Sequence, residues 1–314
     1  MRDDRPVVLV TGASGFVGRH LSPLLARDGW QVRRAVRSLP SSHDDVVIGS
    51  MGPNTDWSTA LAGVEAVVHL AARVHHPNEE HSNELYHEVN TEGTLHLARS
   101  ASRAGVRQFV FVSTVLVHGR SNDGRAPFSE ADLLTPQGTY GFSKAAAEAG
   151  LKILAQQADM NIAVIRPPLV YGSGAKGNFA LLVRAVKLGT PLPFAAIANR
   201  RAFLSVENLA SFVSWLLSNP DGRFEIFLVA DAEQVSTPDF IRRIARAMGS
   251  RSRLFPLPTF LLSKLLTISG RQDTRDSLIG SLELDLSKAA SRGWKPQVTL
   301  DEGLQRTFSA RESG

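Results

Sequence analysis

The most constraining feature of this sequence is a glycine-spaced turn that follows an apolar strand near its start. Residues 6–10 read PVVLV and run into TGASGFVG, which places Gly12, Gly15 and Gly18 three residues apart. In this setting the first glycine permits a tight turn, the second lets the backbone approach a pyrophosphate, and the third allows close helix–strand packing. A helix that begins here also attracts phosphate with its N-terminal dipole. The alternative, a glycine-rich turn with no ligand, is disfavoured by the strand–turn–helix context.

The rest of the chain extends this pattern into a fold. Up to Tyr171, short apolar runs alternate with helical patterns, which predicts a parallel sheet covered on both faces. The binding site of such a sheet lies at the carboxyl ends of its strands. We expect an α/β fold with a Rossmann-type doubly wound sheet over 1–171 and a smaller, mainly helical substrate lobe over 172–314. The predicted strands are 6–10, 31–36, 46–48, 66–70, 108–113 and 161–166, and the predicted helices are 16–28, 83–104, 140–157, 177–188, 206–218, 237–248 and 258–268.

Composition and charge exclude several classes of function. The 314 residues are 43% hydrophobic and include no cysteine, which rules out disulfides and cysteine chemistry. The net charge of +5 comes from scattered Arg and Lys, not from runs with aromatics between them, and this disfavours nucleic-acid binding. The apolar stretch 259–270 is shorter than the roughly 20 residues of a membrane span, so we expect a docked helix. With no signal-peptide pattern at the start, we predict a cytoplasmic protein with no membrane partner.

A second motif supplies acid–base chemistry. Tyr140 and Lys144 stand four residues apart and share one face of a predicted helix. A phenol titrates at about 10, and a neighbouring ammonium would lower the pKa of Tyr140 so that it exchanges a proton with a substrate hydroxyl or carbonyl. Thr114 would emerge from the end of strand 108–113 to hydrogen-bond the reacting oxygen. A solvated helix face is the alternative for a lone Tyr-x-x-x-Lys pair, and the upstream glycine turn favours the catalytic interpretation.

Together these motifs resemble the extended short-chain dehydrogenase/reductases, in their branch of nucleotide-sugar epimerases and 4-keto reductases. The further matching segments are HLAA at 69–72, VNTEGT at 89–94, YGFSK at 140–144, RPPLVYG at 166–172, PLPF at 191–194 and NRRAFLSVENLA at 199–210. The resemblance covers nearly the whole chain and implies a nicotinamide dinucleotide cofactor, a UDP-sugar substrate and no metal. It also implies a homodimer packed through helices around 83–104 and 140–157, where the small residues of 144–150 are expected to face outward.

The resemblance assigns roles to individual residues. The predicted catalytic residues are Thr114, Tyr140, Lys144 and Asn90. The predicted cofactor-binding residues are Gly12, Ser14, Gly15, Phe16, Val17, Gly18, Arg37, Leu70, Ala71, Ala72, Tyr140, Lys144, Pro167 and Leu169. The predicted substrate-binding residues are His75, Asn178, Pro193, Phe194, Arg201 and Arg275.

Some positions depart from the family's pattern. His118 stands where the family often has tyrosine, and we expect it to be structural. The family's dehydratases follow the threonine with an Asp-Glu pair, whereas this chain has Val115 and Leu116, so a 4,6-dehydratase is disfavoured. His75 and His76 lie close in sequence, but the implied cofactor chemistry needs no metal.

Arg37 decides which cofactor we expect. It lies nineteen residues past Gly18, where an acid would bind the ribose hydroxyls of NAD. An arginine has no acceptor, and its planar fork of donors suits a 2′-phosphate instead. Arg33 and Arg34, earlier on the same strand, could reinforce this field or face solvent. NADP(H) is therefore favoured, and NAD(H) is the alternative.

Three functional hypotheses follow. The leading one is NADPH-dependent reduction of a UDP-4-keto-6-deoxy-N-acetylhexosamine in bacterial polysaccharide synthesis. The second is a 4-epimerase of UDP-glucose or UDP-N-acetylglucosamine that uses NAD. Both would place Tyr140, Lys144 and Thr114 at the C4 oxygen. The third, a cofactor-sensing protein without catalysis, is disfavoured because all three of these residues are present.

Overall fold

The computed structural model describes residues 5–40, 42–74, 83–270 and 272–309, so His75 and His76 lie outside the described residues. The chain forms two compact units with interleaved segments. The first unit contains Met1–Val117, Leu133–Arg166 and Ala210–Phe227, and the second contains His118–Asp132, Pro167–Leu209 and Leu228–Gly314. The boundary predicted at Tyr171 lies close to the passage at Arg166–Pro167.

The strands are β1 (Val7–Thr11), β2 (Gln31–Val36), β3 (Asp45–Val47), β4 (Ala66–His69), β5 (Gln108–Val112), β6 (Asn161–Arg166), β7 (Leu169–Tyr171), β8 (Phe203–Ser205) and β9 (Phe224–Leu228). The α-helices are α1 (Phe16–Arg27), α2 (Ser58–Leu61), α3 (Asn83–His87), α4 (Gly93–Arg103), α5 (Gly138–Gln157), α6 (Gly177–Lys187), α7 (Val206–Ser218), α8 (Thr237–Ala247), α9 (Thr259–Ile268), α10 (Gln272–Leu278), α11 (Ser287–Ser291) and α12 (Leu300–Ser309).

A seven-stranded sheet with the order β3-β2-β1-β4-β5-β6-β9 organises the first unit. The pairs from β3 to β6 are all parallel. Because the chain moves outward from β1 in one direction and then continues from β4 in the other, the strand order reverses between β1 and β4. Ligands of such sheets bind at that switch point, outside the carboxyl ends of the strands. The prediction of a doubly wound Rossmann-type sheet is confirmed.

The apolar strands fold this way because both faces of the sheet are covered. Leu9, Val67 and Phe109 are fully buried, and they form one core with residues of α4 and α5 such as Leu97 and Leu151. Burial of such side chains stabilises the fold by about 1.5–3 kcal/mol each. A continuous apolar strand therefore implies helices on both sides, as the sequence pattern predicted.

The helix predicted over 83–104 is interrupted. A π-helical turn at Glu88–Glu92 separates α3 from α4. Two features accompany it: the Thr91 hydroxyl donates to the backbone oxygen of Ser143 at 2.8 Å, and Gly93 approaches the backbone of Gly52 so closely that a Cβ would lie 3.2 Å from its Cα. A π-helical turn contains one residue more than an α-helical turn, so the side chains around it point in different directions from those of a continuous α-helix.

The small residues of 144–150 do not all face outward as expected. Lys144, Ala147 and Glu148 are buried within the chain. A Cβ on Gly150 would lie 2.6 Å from the Leu95 side chain, so this glycine serves packing between α4 and α5. The prediction of an outward small-residue face is wrong for Ala147 and Gly150, whereas Ala149 is exposed.

The second unit has its own core. The short strands β7 and β8 pair in parallel, and α6, α8 and α12 supply apolar side chains. Phe203 of β8 stacks on Phe240 of α8 with ring centroids 3.8 Å apart. The sequence pattern predicted α6 and α8 but not β7, β8 or β9. In the described part of the chain, no helix is both long and apolar enough to cross a membrane.

Candidate active site

The glycine turn at the end of β1 has the geometry that a dinucleotide cradle needs. Gly12 has a φ of 69°, in the left-handed region that favours glycine, and a Cβ there would lie 2.8 Å from the backbone nitrogen of Ala71. A Cβ on Gly18 would lie 2.5 Å from the Cα of Ala13. Real Cβ atoms do not approach backbone so closely, so both glycines are required sterically. The two glycines therefore allow β1, the segment after β4 and the start of α1 to pack this closely.

Helix α1 begins directly at this turn. Gly15 precedes it in an extended conformation, and within the described residues no side chain caps its first turn. The first turn also carries no acidic residue that would repel an anion. The backbone N–H groups of a helix start, together with its dipole, bind phosphate. The residues present fit the pyrophosphate of a dinucleotide.

A buried chain of hydrogen bonds links the ends of β1 and β4 to α4. The Thr94 hydroxyl donates to the backbone oxygen of Asn90 at 2.7 Å, so it must accept from Nε2–H of His69, 2.9 Å away. Nδ1 of His69 is then the acceptor of the Thr11 hydroxyl at 2.6 Å, and Thr11 accepts from the backbone N–H of Ala71 at 3.2 Å. Every polar atom has one consistent role, which fixes the histidine tautomer.

His69 is neutral in this chain of hydrogen bonds. Burial and, to a smaller extent, the nearby Lys144 charge together lower its pKa to about 3. Its ring stacks on Phe111 with centroids 5.7 Å apart. Sequence reasoning missed this histidine, although its place at the end of a fully buried strand was a usable signal.

Lys144 lies in the interior on α5. It is 1% exposed, and its ammonium nitrogen lies 4.1 Å from the centre of the Phe111 ring. Burial lowers its pKa to about 7, while Glu148 acts in the opposite direction. Close to neutral pH, this side chain exchanges between its charged and neutral forms.

Tyr140 differs from the sequence-based expectation. Burial and, to a smaller extent, the neighbouring Tyr86 together raise its pKa to about 12. The expected lowering of the Tyr140 pKa by the Lys144 ammonium is therefore wrong for this arrangement, because the shift is set by desolvation and by Tyr86, which both raise the pKa. At neutral pH Tyr140 keeps its proton and is a donor.

The face of α5 that carries Lys144 continues to a buried ion pair. Glu148 accepts from Arg166 at the end of β6, with Nη2–Oε2 at 2.6 Å and Nε–Oε2 at 3.0 Å. Both side chains are 3% exposed, and the Ser113 hydroxyl donates to the same carboxylate. Sequence reasoning missed this group. Its signal was the spacing, since Glu148 follows Lys144 by one helical turn.

Thr114 lies where the sequence placed it, two residues after the end of β5. Its side-chain oxygen accepts from the backbone N–H of Leu116 at 3.2 Å, which leaves its own hydroxyl hydrogen able to donate. A Cβ on Gly141 would lie 3.1 Å from the backbone oxygen of Leu116. The start of α5, which carries Tyr140, thus packs closely against the turn that follows Thr114.

Asn90 has a supporting position. Its Oδ1 accepts from the backbone N–H of Arg73 at 2.7 Å, and its Nδ2 donates to the Arg73 oxygen and the Ser143 hydroxyl, each at 3.0 Å. It is 1% exposed. These contacts tie the segment after β4 to α5. The catalytic role predicted for Asn90 stays a prediction, and the observed contacts are those of a positioning residue.

Three arginines at β2 differ sharply in their surroundings. Arg33 donates to the backbone oxygens of Ala60 and Ala62 at 2.9 and 2.6 Å, and Arg34 pairs with Asp45 at 2.6 Å. Arg37 follows the strand and is exposed, and among the described residues it has no hydrogen-bond or ion-pair partner. Of the three, Arg37 is the arginine for which the described residues supply no partner, and its guanidinium is open to a ligand.

The predicted substrate residues in the second unit have mixed environments. Asn178 is exposed at the second residue of α6, Pro193 is half-buried and Phe194 is 9% exposed. Arg201 is also 9% exposed and donates from Nη1 to the backbone oxygens of Asp276 and Gly280. Burial lowers the pKa of Arg201 to about 10. At least one of its nitrogens is thus engaged within the unit.

The other predicted residues occupy ordinary positions. Arg275 pairs with Asp276 at 2.7 Å. Pro167 is buried, and the partly buried Leu169 opens β7. His118 is 1% exposed and stacks on Phe128 with centroids 5.1 Å apart, an environment that suits the structural role expected for it. Among the described residues, no group of three or more acidic or histidine side chains could hold a metal ion.

The model of the NAD dependent epimerase/dehydratase family matches residues 8–230, more than half of the chain. The chain belongs to this family.

Two relatives that match almost the whole chain are nucleotide-sugar enzymes. A UDP-glucose 4-epimerase of Vibrio cholerae is 36% identical over 310 residues, covering 96% of this chain and 94% of the relative. A GDP-6-deoxy-D-mannose reductase of Pseudomonas aeruginosa is 25% identical, covering 98% and 97%. The solved structure of MoeE5 with UDP-glucuronic acid and NAD is 26% identical, with a TM-score of 0.78 and coverage of 98% and 99%. This member of the family is an enzyme of nucleotide-sugar epimerase or reductase type that binds NAD(P).

Proposed function

We propose that this enzyme reduces the C4 carbonyl of a UDP-4-keto-hexose with NADPH. The observation that carries the proposal is Arg37, which is exposed and without a described partner at the end of β2 while Arg33 and Arg34 are tied down. A guanidinium at this position suits a 2′-phosphate and cannot accept the hydrogen bond of a free 2′-hydroxyl. The proposed sugar is a 6-deoxy-N-acetylhexosamine of bacterial polysaccharide synthesis.

The cofactor would be held by residues at the switch point of the sheet. Gly12, Gly15 and Gly18 with the first turn of α1 would hold the pyrophosphate, and Leu70 to Ala72 would border the cofactor beyond β4. The dihydronicotinamide, when bound, supplies the hydride. All other chemistry falls to the side chains of the chain itself.

Tyr140 would give its proton to the C4 oxygen as the carbonyl becomes a hydroxyl. Its raised pKa of about 12 keeps the phenol protonated at neutral pH, as a proton donor requires. The Thr114 hydroxyl would hold the same oxygen, and Lys144 would supply positive charge one helical turn from Tyr140. Asn90 and Glu148 would act as positioning residues. Asn90 would fix the segment after β4, and Glu148 would fix the inner face of α5.

A 4-epimerase is the second candidate, and the Vibrio cholerae relative favours it. That protein is a UDP-glucose 4-epimerase that matches this chain almost from end to end. Tyr140 would then be the proton partner of the C4 oxygen, and the Thr114 hydroxyl would position that oxygen. In this case NAD would remain bound between turnovers, and Arg37 would have no 2′-phosphate to bind.

The nicotinamide nucleotide decides between the two candidates. We would denature freshly purified enzyme, separate the released nucleotides, and titrate emptied enzyme with NADPH and NADH. Arg37→Asp should weaken NADPH binding about tenfold or more and leave NADH binding much less changed, because a charge-assisted contact is lost. Arg99→Ser, at an exposed arginine of α4, is the matched control and should change neither.

Two results would overturn the reductase. One is stoichiometric NAD that survives purification. The other is interconversion of UDP-glucose with UDP-galactose, or of their N-acetyl forms, without added reductant. Either would leave the epimerase as the function.

A further inference from the structure

The surface of α9 is unusual for this protein. The sequence predicted a docked helix. Among the ten residues of α9, all of which the structure describes, only Leu262 is buried. Phe260 is 69% exposed, Leu265 60% and Ile268 74%. The helix is docked, as predicted, through Leu262 and the partly buried Leu266, while the rest of its apolar surface remains in contact with solvent.

Helical spacing places the exposed residues together. Phe260, Leu261, Lys264, Leu265 and Ile268 follow one another at steps of one, three, one and three, which keeps them on one side of the helix. On the opposite side Leu262 and Leu266 pack on the core of the second unit. The helix is thus anchored by one face and presents the other.

The segment that leads into α9 continues this surface. The backbone of Leu254 pairs with that of Leu192, so the segment is extended there and its side chains alternate. Leu254 turns toward the core, whereas Arg251, Arg253 and Phe255 are exposed. Two cations, Arg251 and Arg253, and one further exposed aromatic side chain, Phe255, therefore lie immediately before the apolar helix face.

The sequence segment that carries this surface is rich in positive charge. Residues 240–272 contain six Arg, one Lys and no Asp or Glu. Arg243 is paired with Glu233, Asp239 and Asp301, so its charge is compensated within the unit. Lys264, by contrast, stands within the exposed apolar face itself.

We propose that α9 and its preceding segment dock on the surface of an anionic lipid bilayer. Exposed Phe and Leu side chains on one face of a helix, with Lys and Arg beside them, are the features of an interfacial helix that lies in the plane of a membrane. At 10 residues α9 is too short to span a bilayer, which agrees with an interfacial position. A second copy of this chain fits less well, because its cations would meet cations of the same sign.

The test is flotation of purified full-length protein with vesicles. We would compare phosphatidylcholine vesicles containing phosphatidylglycerol at about 30 mol % with vesicles of phosphatidylcholine alone. We expect the protein to float with the anionic vesicles and to be released by salt. Phe260→Ser combined with Leu265→Ser should lower the bound fraction about tenfold or more, since both side chains lose their place in the bilayer.

Matched variants keep the test decisive. Leu39→Ser with Leu133→Ser removes two exposed leucines elsewhere, at 90% and 88% exposure, and should leave flotation unchanged. Arg251→Glu with Arg253→Glu should abolish the preference for anionic vesicles. The proposal is overturned if the wild type does not float, if it binds both vesicle types equally, or if the α9 variant floats like the wild type. It is also overturned if that variant instead converts a dimer to a monomer in light scattering while no vesicle captures either form.

Discussion

At the scale of single residues, Tyr140 and Lys144 show how burial overrides a simple electrostatic expectation. Their spacing suggested a phenol made more acidic by an ammonium. In the folded chain the pKa of Tyr140 rises to about 12 and that of Lys144 falls to about 7, both from desolvation. The site therefore contains a firmly protonated donor beside a lysine that titrates near neutrality.

Tyr140→Phe should remove the proton donor while keeping the fold. We expect kcat to fall about 100-fold to 10,000-fold, the usual contribution of general acid catalysis. Binding of NADPH, followed by its fluorescence, should change little. Tyr86→Phe is the matched control at a neighbouring phenol and should retain most of the turnover. Equal losses in the two variants would remove Tyr140 from the chemistry.

The titration of Lys144 predicts a pH dependence of turnover. Its ammonium form dominates below pH about 7 and is lost above it, so kcat should decline as the pH rises through that region. Lys144→Arg keeps its charge at all accessible pH values and should shift the decline upward. The measurement is kcat against pH at saturating substrate. An unshifted profile in the arginine variant would assign the decline to another group.

At the scale of elements, the glycine turn and the first turn of α1 form one steric unit. Gly18→Ala would place a Cβ 2.5 Å from the backbone of Ala13 and should push α1 away from β1. We expect weakened dinucleotide binding and a lower Tm. Gly52→Ala is the control, because its Cβ would meet only the Glu88 side chain at 3.6 Å. If both variants bind and melt like the wild type, the packing argument fails.

The pairing of α5 with β6 depends on a buried charge. Glu148→Gln leaves the Arg166 guanidinium uncompensated, and removal of one partner from such a pair costs about 3–5 kcal/mol. Glu207→Gln breaks the exposed pair with Arg306 and should cost about 0–1 kcal/mol. Denaturant unfolding measures both changes. Similar small losses would show that the α5–β6 pair adds little to stability.

At the scale of the whole molecule, the homodimer stays a prediction. Phe142 and Ile153 of α5 are 59% and 57% exposed, which is consistent with a helix that meets a partner. We expect light scattering to give twice the chain mass of 34.0 kDa. Phe142→Glu with Ile153→Glu should yield a monomer, while Leu181→Glu on α6 should not. A wild type of 34.0 kDa would contradict the prediction.

The sequence by itself determined six of the seven strands of the sheet, the glycine-spaced turn and the helical spacing of Tyr140 and Lys144. Each of these features is a local pattern. A strand shows as an apolar run or as alternating apolar and polar residues, the turn shows as glycines at fixed spacing, and Tyr140 and Lys144 lie one helical turn apart. Their meaning depends on neighbours within a few residues, so β1, β2 and β6 and the helix of Tyr140 were placed within a few residues of their observed bounds.

Only the tertiary structure decided which polar side chains meet. His69 joins Thr11 to Thr94, and Glu148 joins Ser113 to Arg166, across 18 to 58 positions of the chain. Burial then raised the pKa of Tyr140 and lowered that of Lys144. The packing of the second unit left one face of α9 exposed. These outcomes arise from desolvation and long-range packing, which no short stretch of sequence contains.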